Sequence, residues 1–285
     1  MLIKSDLRQP VLKISIPGIE KVSESEEEVL IKVGAGVNWH DLVTYCVENG
    51  LGGIENLALI PGTVGAAPIQ NIGAYGVELS DTFHSLKAFL PETGEYREYS
   101  IKECNFGYRD SIFKNSLKGK AIITEVTLCL QKEPHKIEDS YYALREYFRA
   151  NEISGPSIRD VFDAVVAIRK SKLPNPELIG NAGSFFKNPI VDSSIYQKLK
   201  ADYPNIPSFE AGSGKIKIPA GWLIEQAGWK GKKIGNVGTY KNQALVLVNH
   251  GGATGEEIFQ HALNIRESVQ DKFGIELAPE VNVIS

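Results

Sequence analysis

Between Gly52 and Gly76 the chain carries six glycines, two prolines and a single charge, Glu55. Neither a helical period nor a strand alternation can be laid over this stretch. It predicts a tight irregular loop whose backbone is exposed to a partner, because glycine and alanine leave little side chain to make the contact. An Ω-loop of purely structural role has the same composition. Whatever the chain folds into must be built around this loop.

The flanking segments are more regular. Val29-Leu30-Ile31-Lys32-Val33 alternates and is β-branched, so it reads as a strand. Asn38 is placed to cap a helix over Trp39–Asn49 that Gly50 ends. Two strands around Pro91-Glu92-Thr93-Gly94 and a strand at 121–130 follow. Ser157 and Asp160 form a capping box for a helix to about Ser171. Pro174-Asn175-Pro176 is the best linker, which divides the chain into 1–173 and 174–274. Beyond it come a short helix after Asp192, a helix over 220–227, a strand over 244–248, and a long helix capped by Thr254 and Glu257 and ended by Gly274. A closing strand is expected over 275–284. Val11-Leu12-Lys13-Ile14-Ser15-Ile16 is either a short leading strand or the opening of a domain cut at its start. Strands and helices mix without a βαβ rhythm, so the class is α+β.

Bulk properties exclude several functions. A length of 285 residues suits two domains. The formal charge of −4 gives no basic footprint for nucleic acid, although a few local Arg and Lys residues suffice for an anionic ligand. Cys46, Cys104 and Cys129 stand far apart, which indicates neither a metal site nor a disulfide framework. No apolar run approaches the ~20 residues of a membrane span, so no membrane partner and a cytoplasmic location are the default, with a monomer expected.

Two phosphate motifs fail on inspection. Gly34-Ala35-Gly36 opens like GxGxxG, but Trp39 stands at the third glycine. Gly212-Ser213-Gly214-Lys215 ends like a P-loop, but Ile216 replaces the magnesium-binding hydroxyl and Phe209 the leading glycine. No GxSxG elbow supports a Ser-His-Asp triad.

The run Pro61-Gly-Thr-Val-Gly-Ala-Ala-Pro-Ile-Gln-Asn-Ile-Gly-Ala-Tyr-Gly76 resembles the second flavin-binding loop of the UDP-N-acetylenolpyruvoylglucosamine reductase family. That family has the FAD-binding fold of the vanillyl-alcohol-oxidase/PCMH type. Val33–Trp39 and Glu55-Asn56-Leu57 match before it. Gly107-Tyr-Arg-Asp-Ser111, Lys172-Leu-Pro, Gly180–Pro189, Ala220–Ile224 and Pro279-Glu-Val281 match after it, in the family's order. The likeness covers essentially the whole chain.

The resemblance implies FAD and NADPH as cofactors and UDP-N-acetylglucosamine enolpyruvate as substrate. It places Pro61, Gly62, Val64, Gly65, Ala66, Ala67, Ile72 and Gly73 at the flavin, with backbone N–H groups converging on the pyrophosphate. Arg109 faces the substrate carboxylate, where its planar fork suits two hydrogen bonds; an ordinary ion pair with Asp110 is the structural alternative. Ser184 is the implied proton donor and Glu280 reaches the active site from the terminal strand, so residues 275–285 return to the first domain. Tyr75, Tyr108, Tyr141, Lys172 and Asn188 are the implied substrate contacts, although Ser140-Tyr141-Tyr142 offers two tyrosines for one role. The 138–147 insertion resembles a loop and helix that close over substrate in one form of the family, and it reads equally well as a plain amphipathic helix. The family opens with a glycine-rich turn that also holds the pyrophosphate, and Met1-Leu2-Ile3 aligns just after that turn. The resemblance therefore implies an incomplete FAD-binding domain. Two alternatives remain at this point: a non-redox UDP-sugar binder, and a related flavin oxidase. Such oxidases often tether flavin through His or Cys, and this loop has neither.

Overall fold

A computed structural model describes residues 1–8 and 10–284. The chain divides into two compact units, Val11–Arg169 and a C-terminal unit formed by Lys170–Ser285 with Met1–Pro10. The sequence placed its boundary after residue 173. The opening strand β1 (Leu2–Ile3) belongs to the C-terminal unit, where Leu2 is buried.

The first unit is built on an antiparallel sheet. It contains β2 (Ile19–Glu24), β3 (Glu28–Gly34), β6 (Phe83–Leu90), β7 (Glu95–Ser100) and β8 (Ile122–Gln131), in the order β2-β3-β8-β6-β7. Alternation sets the buried face: Ile31 lies opposite Leu128 and Val33 opposite Val126, all essentially inaccessible. Helix α1 (Trp39–Glu48) starts where expected, with the Asn38 carboxamide oxygen accepting from His40 and Asp41 N–H at 2.8 and 3.3 Å. Trp39 is buried and its indole N–H donates to the Leu57 carbonyl at 2.9 Å, which ties α1 to the start of the glycine-rich loop. That loop contains the short hairpin of β4 (Gly73–Ala74) and β5 (Val77–Glu78). A short α2 (Ile101–Cys104) follows β7, and α3 (Tyr142–Ala150) and α4 (Ile158–Lys172) come after β8. In α4, Ile158, Val161, Phe162 and Val165 are buried at helical spacing. Each such side chain contributes about 1.5–3 kcal/mol of apolar burial.

The strand expected over Val11–Ile16 does not form; Val11 and Leu12 are exposed, and the first strand of the sheet begins at Ile19. Instead this segment runs against Gly34-Ala35-Gly36. Gly36 N–H donates to Ile16 carbonyl at 2.9 Å, and a β-carbon on Gly36 would lie 2.5 Å from Ser15 and Ile16 backbone atoms. The glycines that imitate a dinucleotide motif are there for backbone packing. Cys46 and Cys104 are buried and Cys129 is half-buried, and burial pushes the first two thiols up to about 12.

The C-terminal unit carries two small antiparallel sheets. One has the order β13-β14-β15-β9, from β9 (Gly180–Ser184), β13 (Lys233–Ile234), β14 (Val237–Thr239) and β15 (Val246–Asn249). The other has the order β10-β12-β11, from β10 (Ile190–Asp192), β11 (Phe209–Glu210) and β12 (Lys215–Lys217). Three helices complete it: α5 (Ser193–Asp202), α6 (Ala220–Gln226) and α7 (Gly255–Phe273). Thr254 and Glu257 make the expected capping box on α7, and Gly274 ends it with φ +67°. The closing strand is shorter than 275–284: only β16 (Val283–Ile284) forms, paired in parallel with β1, Leu2 opposite Val283. Among the described residues no helix is long and apolar enough to cross a membrane.

Candidate active site

The glycine-rich loop of the first unit turns at Gly62, whose φ of +117° is costly for any other residue. A 3₁₀ segment over Val64–Gln70 follows and buries Val64, Ala67 and Pro68. Its N–H groups are largely committed: Val64 donates to Val37, Gly65 to Ala35 and Ala66 to Thr63, at 2.9 Å each. The expectation that Gly65 and Ala66 turn their N–H groups to a pyrophosphate is therefore corrected. A β-carbon on Gly65 would stand 2.6 Å from the Ala35 β-carbon, so this glycine permits close packing.

Asn71 stitches the loop together from inside. It is 1% exposed and adopts φ +44°. Its amide N–H₂ donates to Glu78 Oε2 at 2.8 Å and to the Gly107 carbonyl at 3.3 Å, while its oxygen accepts from Ser80 N–H at 3.0 Å. Ser111 Oγ donates to the Ile69 carbonyl at 2.7 Å, so the 107–115 segment is held to the loop at two points. Arg109 lies between these anchors. Its backbone has φ +54°, an unfavourable value for a long side chain, and the reciprocal hydrogen bonds of Gly107 and Asp110 at 3.1 Å close the turn that holds it. The guanidinium donates to the Gly73 carbonyl, lies 3.7 Å from Glu78 Oε1 and sits over the Tyr108 ring at 5.2 Å. A β-carbon on Gly73 would be 2.8 Å from Nη1, so a side chain here would have to displace the guanidinium. Asp110 is not the partner of Arg109; its carboxylate accepts from Asn115 at 2.9 Å.

Tyr75, at the hairpin tip, has φ +49°. Its carbonyl accepts from Asn56 Nδ2 at 2.9 Å, and the same Nδ2 donates to the Glu138 carbonyl at 2.8 Å. Asn56 thus joins the hairpin to the segment before α3. Tyr141 packs edge-on against Tyr75, centroids 5.2 Å apart, whereas Tyr142 opens α3 and is exposed. Burial raises the Tyr75 phenol above its usual value, while a hydrogen bond from Arg169 works in the opposite direction. Arg169 Nε and Asn56 Oδ1 are buried without a partner among the described residues. Glu78 and Arg169 were not singled out from the sequence, and Asn56 and Asn71 stood there only as members of matched motifs without a role of their own.

In the C-terminal unit Ser184 ends β9 opposite Val246, and its side chain is exposed. The next residues, Phe185 and Phe186, are buried. The returning chain pairs on their far side: Phe186 bridges to Pro279, Glu280 N–H donates to Phe185 carbonyl at 2.8 Å, and Lys187 N–H donates to Ala278 carbonyl at 2.9 Å. Ser184 and Glu280, ninety-six positions apart, are thereby brought to adjacent rungs. Asn188 accepts the N–H of Ala220 at 2.9 Å, at the first turn of α6. Lys172 ends α4 and is exposed.

The loop can be tested against a flavin pyrophosphate on its own chemistry. Pro61, Gly62 and Ala66 are exposed, and no acidic side chain lies between Pro61 and Val77. Beside Gly62 only the Ala66 β-carbon, at 4.0 Å, lies within reach of an added β-carbon. The backbone N–H groups of Gly62 and Thr63 make no hydrogen bond within the described chain. N–H donors left uncommitted on an open, uncharged turn fit a phosphate pair.

Known proteins agree with this geometry. Residues 174–284 match the family model for the UDP-N-acetylenolpyruvoylglucosamine reductase C-terminal domain, and residues 4–100 match the model for an FAD binding domain. The chain is 51% identical to UDP-N-acetylenolpyruvoylglucosamine reductase of Amoebophilus asiaticus, over all of this chain and 84% of that protein. It is 48% identical to the enzyme of the same name from Flavobacterium johnsoniae, with the same coverage. Among solved structures it resembles UDP-N-acetylenolpyruvylglucosamine reductase (MurB) from Thermus caldophilus, with TM-score 0.60 and 26% identity over 89% of this chain and 72% of that one. The chain belongs to the UDP-N-acetylenolpyruvoylglucosamine reductase family.

Proposed function

We propose that this protein is the NADPH-dependent flavoenzyme that converts UDP-N-acetylglucosamine enolpyruvate to UDP-N-acetylmuramate, a cytoplasmic step of peptidoglycan synthesis. The observation that supports it most is the pairing of 185–187 with 278–280, which brings the backbone segments that carry Ser184 and Glu280 together in a chain of this family. Gly62 and Thr63, with Ile72 nearby, would hold FAD, which when bound would supply hydride transfer from NADPH to the terminal vinyl carbon of the substrate. Arg109 receives the substrate carboxylate. As negative charge builds toward that carboxylate, Arg109 and Glu280 stabilise it. Ser184 gives the proton of Oγ to the carbon that bears the ether oxygen, which completes the addition of one hydride and one proton across the double bond. A serine hydroxyl is a weak acid, so transfer accompanies the build-up of charge on carbon. Tyr75, Tyr108, Tyr141, Lys172 and Asn188 receive the UDP-sugar, with the Lys172 ammonium suited to phosphate.

An anaerobic titration tests the reading. NADPH is expected to bleach the FAD absorbance of the loaded protein, and UDP-N-acetylglucosamine enolpyruvate to restore it stoichiometrically. Bleaching that the enolpyruvyl ether does not reverse would make the protein a flavoenzyme with another substrate.

A further inference from the structure

Ser184 owes its place to an irregularity in the ladder. In β9, Asn181 lies opposite Val248 and Ser184 opposite Val246, so two residues of β9, Ala182 and Gly183, face the single Leu247. Such a bulge re-aims the side chain that follows it. Gly183 takes φ +73° and a β-carbon there would meet nothing within 4 Å, so the conformation is not imposed by surrounding atoms. After the bulge the chain is well held: Phe185 N–H donates to the Leu245 carbonyl at 2.8 Å, and Phe185 carbonyl accepts from Glu280. Before and within it, the side chain of Asn181 is the restraint. Its Oδ1 accepts from Gly183 N–H at 3.0 Å, and its Nδ2 donates to Ile179 carbonyl at 3.1 Å. The half-buried carboxamide therefore ties the second bulge residue to the chain before the bulge.

We infer that Asn181 is the positioning residue for Ser184: its carboxamide holds the Gly183 bulge and so sets the direction in which the serine hydroxyl points. The inference rests on the reading of Ser184 as proton donor. A hydroxyl displaced by about 1 Å loses on the order of 10²-fold in rate, even though the chemistry of the donor is unchanged. Asn181 touches neither reacting atom, so its effect is confined to the half-reaction that consumes the Ser184 proton.

Three variants of the FAD-loaded protein, Asn181→Ala, Asn181→Asp and Ser184→Ala, are compared with the parent by anaerobic stopped-flow. Asn181→Ala is expected to leave flavin reduction by NADPH unchanged. Reoxidation by the enolpyruvyl ether should slow by about 10–10²-fold, with a larger solvent deuterium isotope effect than in the parent, as protonation becomes limiting. Asn181→Asp keeps an oxygen acceptor for Gly183 N–H and should recover most of the rate. Amide hydrogen exchange on the cofactor-free protein gives an independent readout: the Gly183 amide loses protection in Asn181→Ala and keeps it in Asn181→Asp. Unchanged reoxidation in Asn181→Ala, or equal slowing of both half-reactions, overturns the inference while Ser184→Ala still shows the selective defect. Unslowed reoxidation in Ser184→Ala removes the proton-donor reading itself, and the role of Asn181 with it.

Discussion

The runs Pro61–Gly76 and Gly180–Pro189 look alike as sequence, since both are short of charge and built on glycine, alanine and asparagine. Gly65 and Gly73 of the first run and Gly183 of the second are there for opposite reasons. In the first run another atom occupies the place a side chain would take: the Ala35 β-carbon at Gly65, 2.6 Å away, and the Arg109 guanidinium at Gly73, 2.8 Å away. In the second run Gly183 faces open space and is required by its φ of +73°. Among the asparagines, Asn71 of the first run and Asn188 of the second bind backbone far along the chain, whereas Asn181 binds only residues two positions away. One region is a cradle held from outside by packing; the other is a strand end aimed by its own local geometry. A cradle fails when its neighbours are displaced, and an aimed strand end fails when its aim is lost.

The largest expected effect belongs to the aimed region. Ser184→Ala should slow reoxidation of the flavin by the enolpyruvyl ether by ~10²–10⁴-fold and leave reduction by NADPH unchanged, as stopped-flow absorbance separates the two. In the cradle, Gly65→Ala must push Ala35 aside and should cost about 1–3 kcal/mol in urea unfolding, with weaker FAD retention. Arg109→Lys removes the fork that grips Gly73 carbonyl and that, in the proposed function, receives the carboxylate. It should lower kcat/KM by about 10–10²-fold, the equivalent of one charged hydrogen bond of ~1.5–3 kcal/mol. Gly183→Ala meets no atom and should cost only about 1 kcal/mol from its backbone angle. Equal losses of stability for Gly65→Ala and Gly183→Ala would erase the distinction between the two regions.

The two units also differ in how acid and base act on them, an effect smaller than any of these. Burial, with Lys232 adding to it, lowers the pKa of His261 in the C-terminal unit from 6.5 to about 4; its ring hydrogen-bonds Thr239 Oγ1 at 3.1 Å. The unfolded chain takes up this proton first, so the contribution is full above pH 6.5 and is lost as pH falls toward 4. Glu55 in the first unit behaves in the reverse sense. Burial raises its pKa above 4.5, opposed by backbone N–H donors such as Gly53 at 2.6 Å. Its contribution is present below pH 4.5 and is lost as pH rises through the folded value. His261→Gln should flatten the acid side of a melting-temperature profile and Glu55→Gln the opposite side. If either variant flattens the side assigned to the other, the assignment of the two groups is wrong.

Much of the local structure was legible because its causes lie within four residues. The caps at Asn38, Ser157 with Asp160, and Thr254 with Glu257 all form as read, since the cap and the N–H it serves are neighbours in the chain. Strand ends were less legible. Val11–Ile16 and most of 275–284 have strand-like sequences, but a strand exists only where a partner strand lies alongside, and partners are set by the fold. For the site, the family's ordered motifs led to Arg109, Ser184 and Glu280, yet nothing near Arg109 in sequence indicates that its guanidinium enters the space left by Gly73.

By itself the sequence determined the α+β class, the caps, the loop that must present backbone, and the family to which the motifs belong. Only the tertiary structure decided which N–H groups of that loop stay uncommitted and which are consumed by Ala35, Val37 and Thr63. It also decided that Asn188 serves the start of α6, and that the segment ending at Glu280 pairs with the residues after Ser184. The reason is physical: periodicity and capping depend on the identity of near neighbours, whereas a buried hydrogen bond or an excluded β-carbon depends on atoms that sequence distance does not locate.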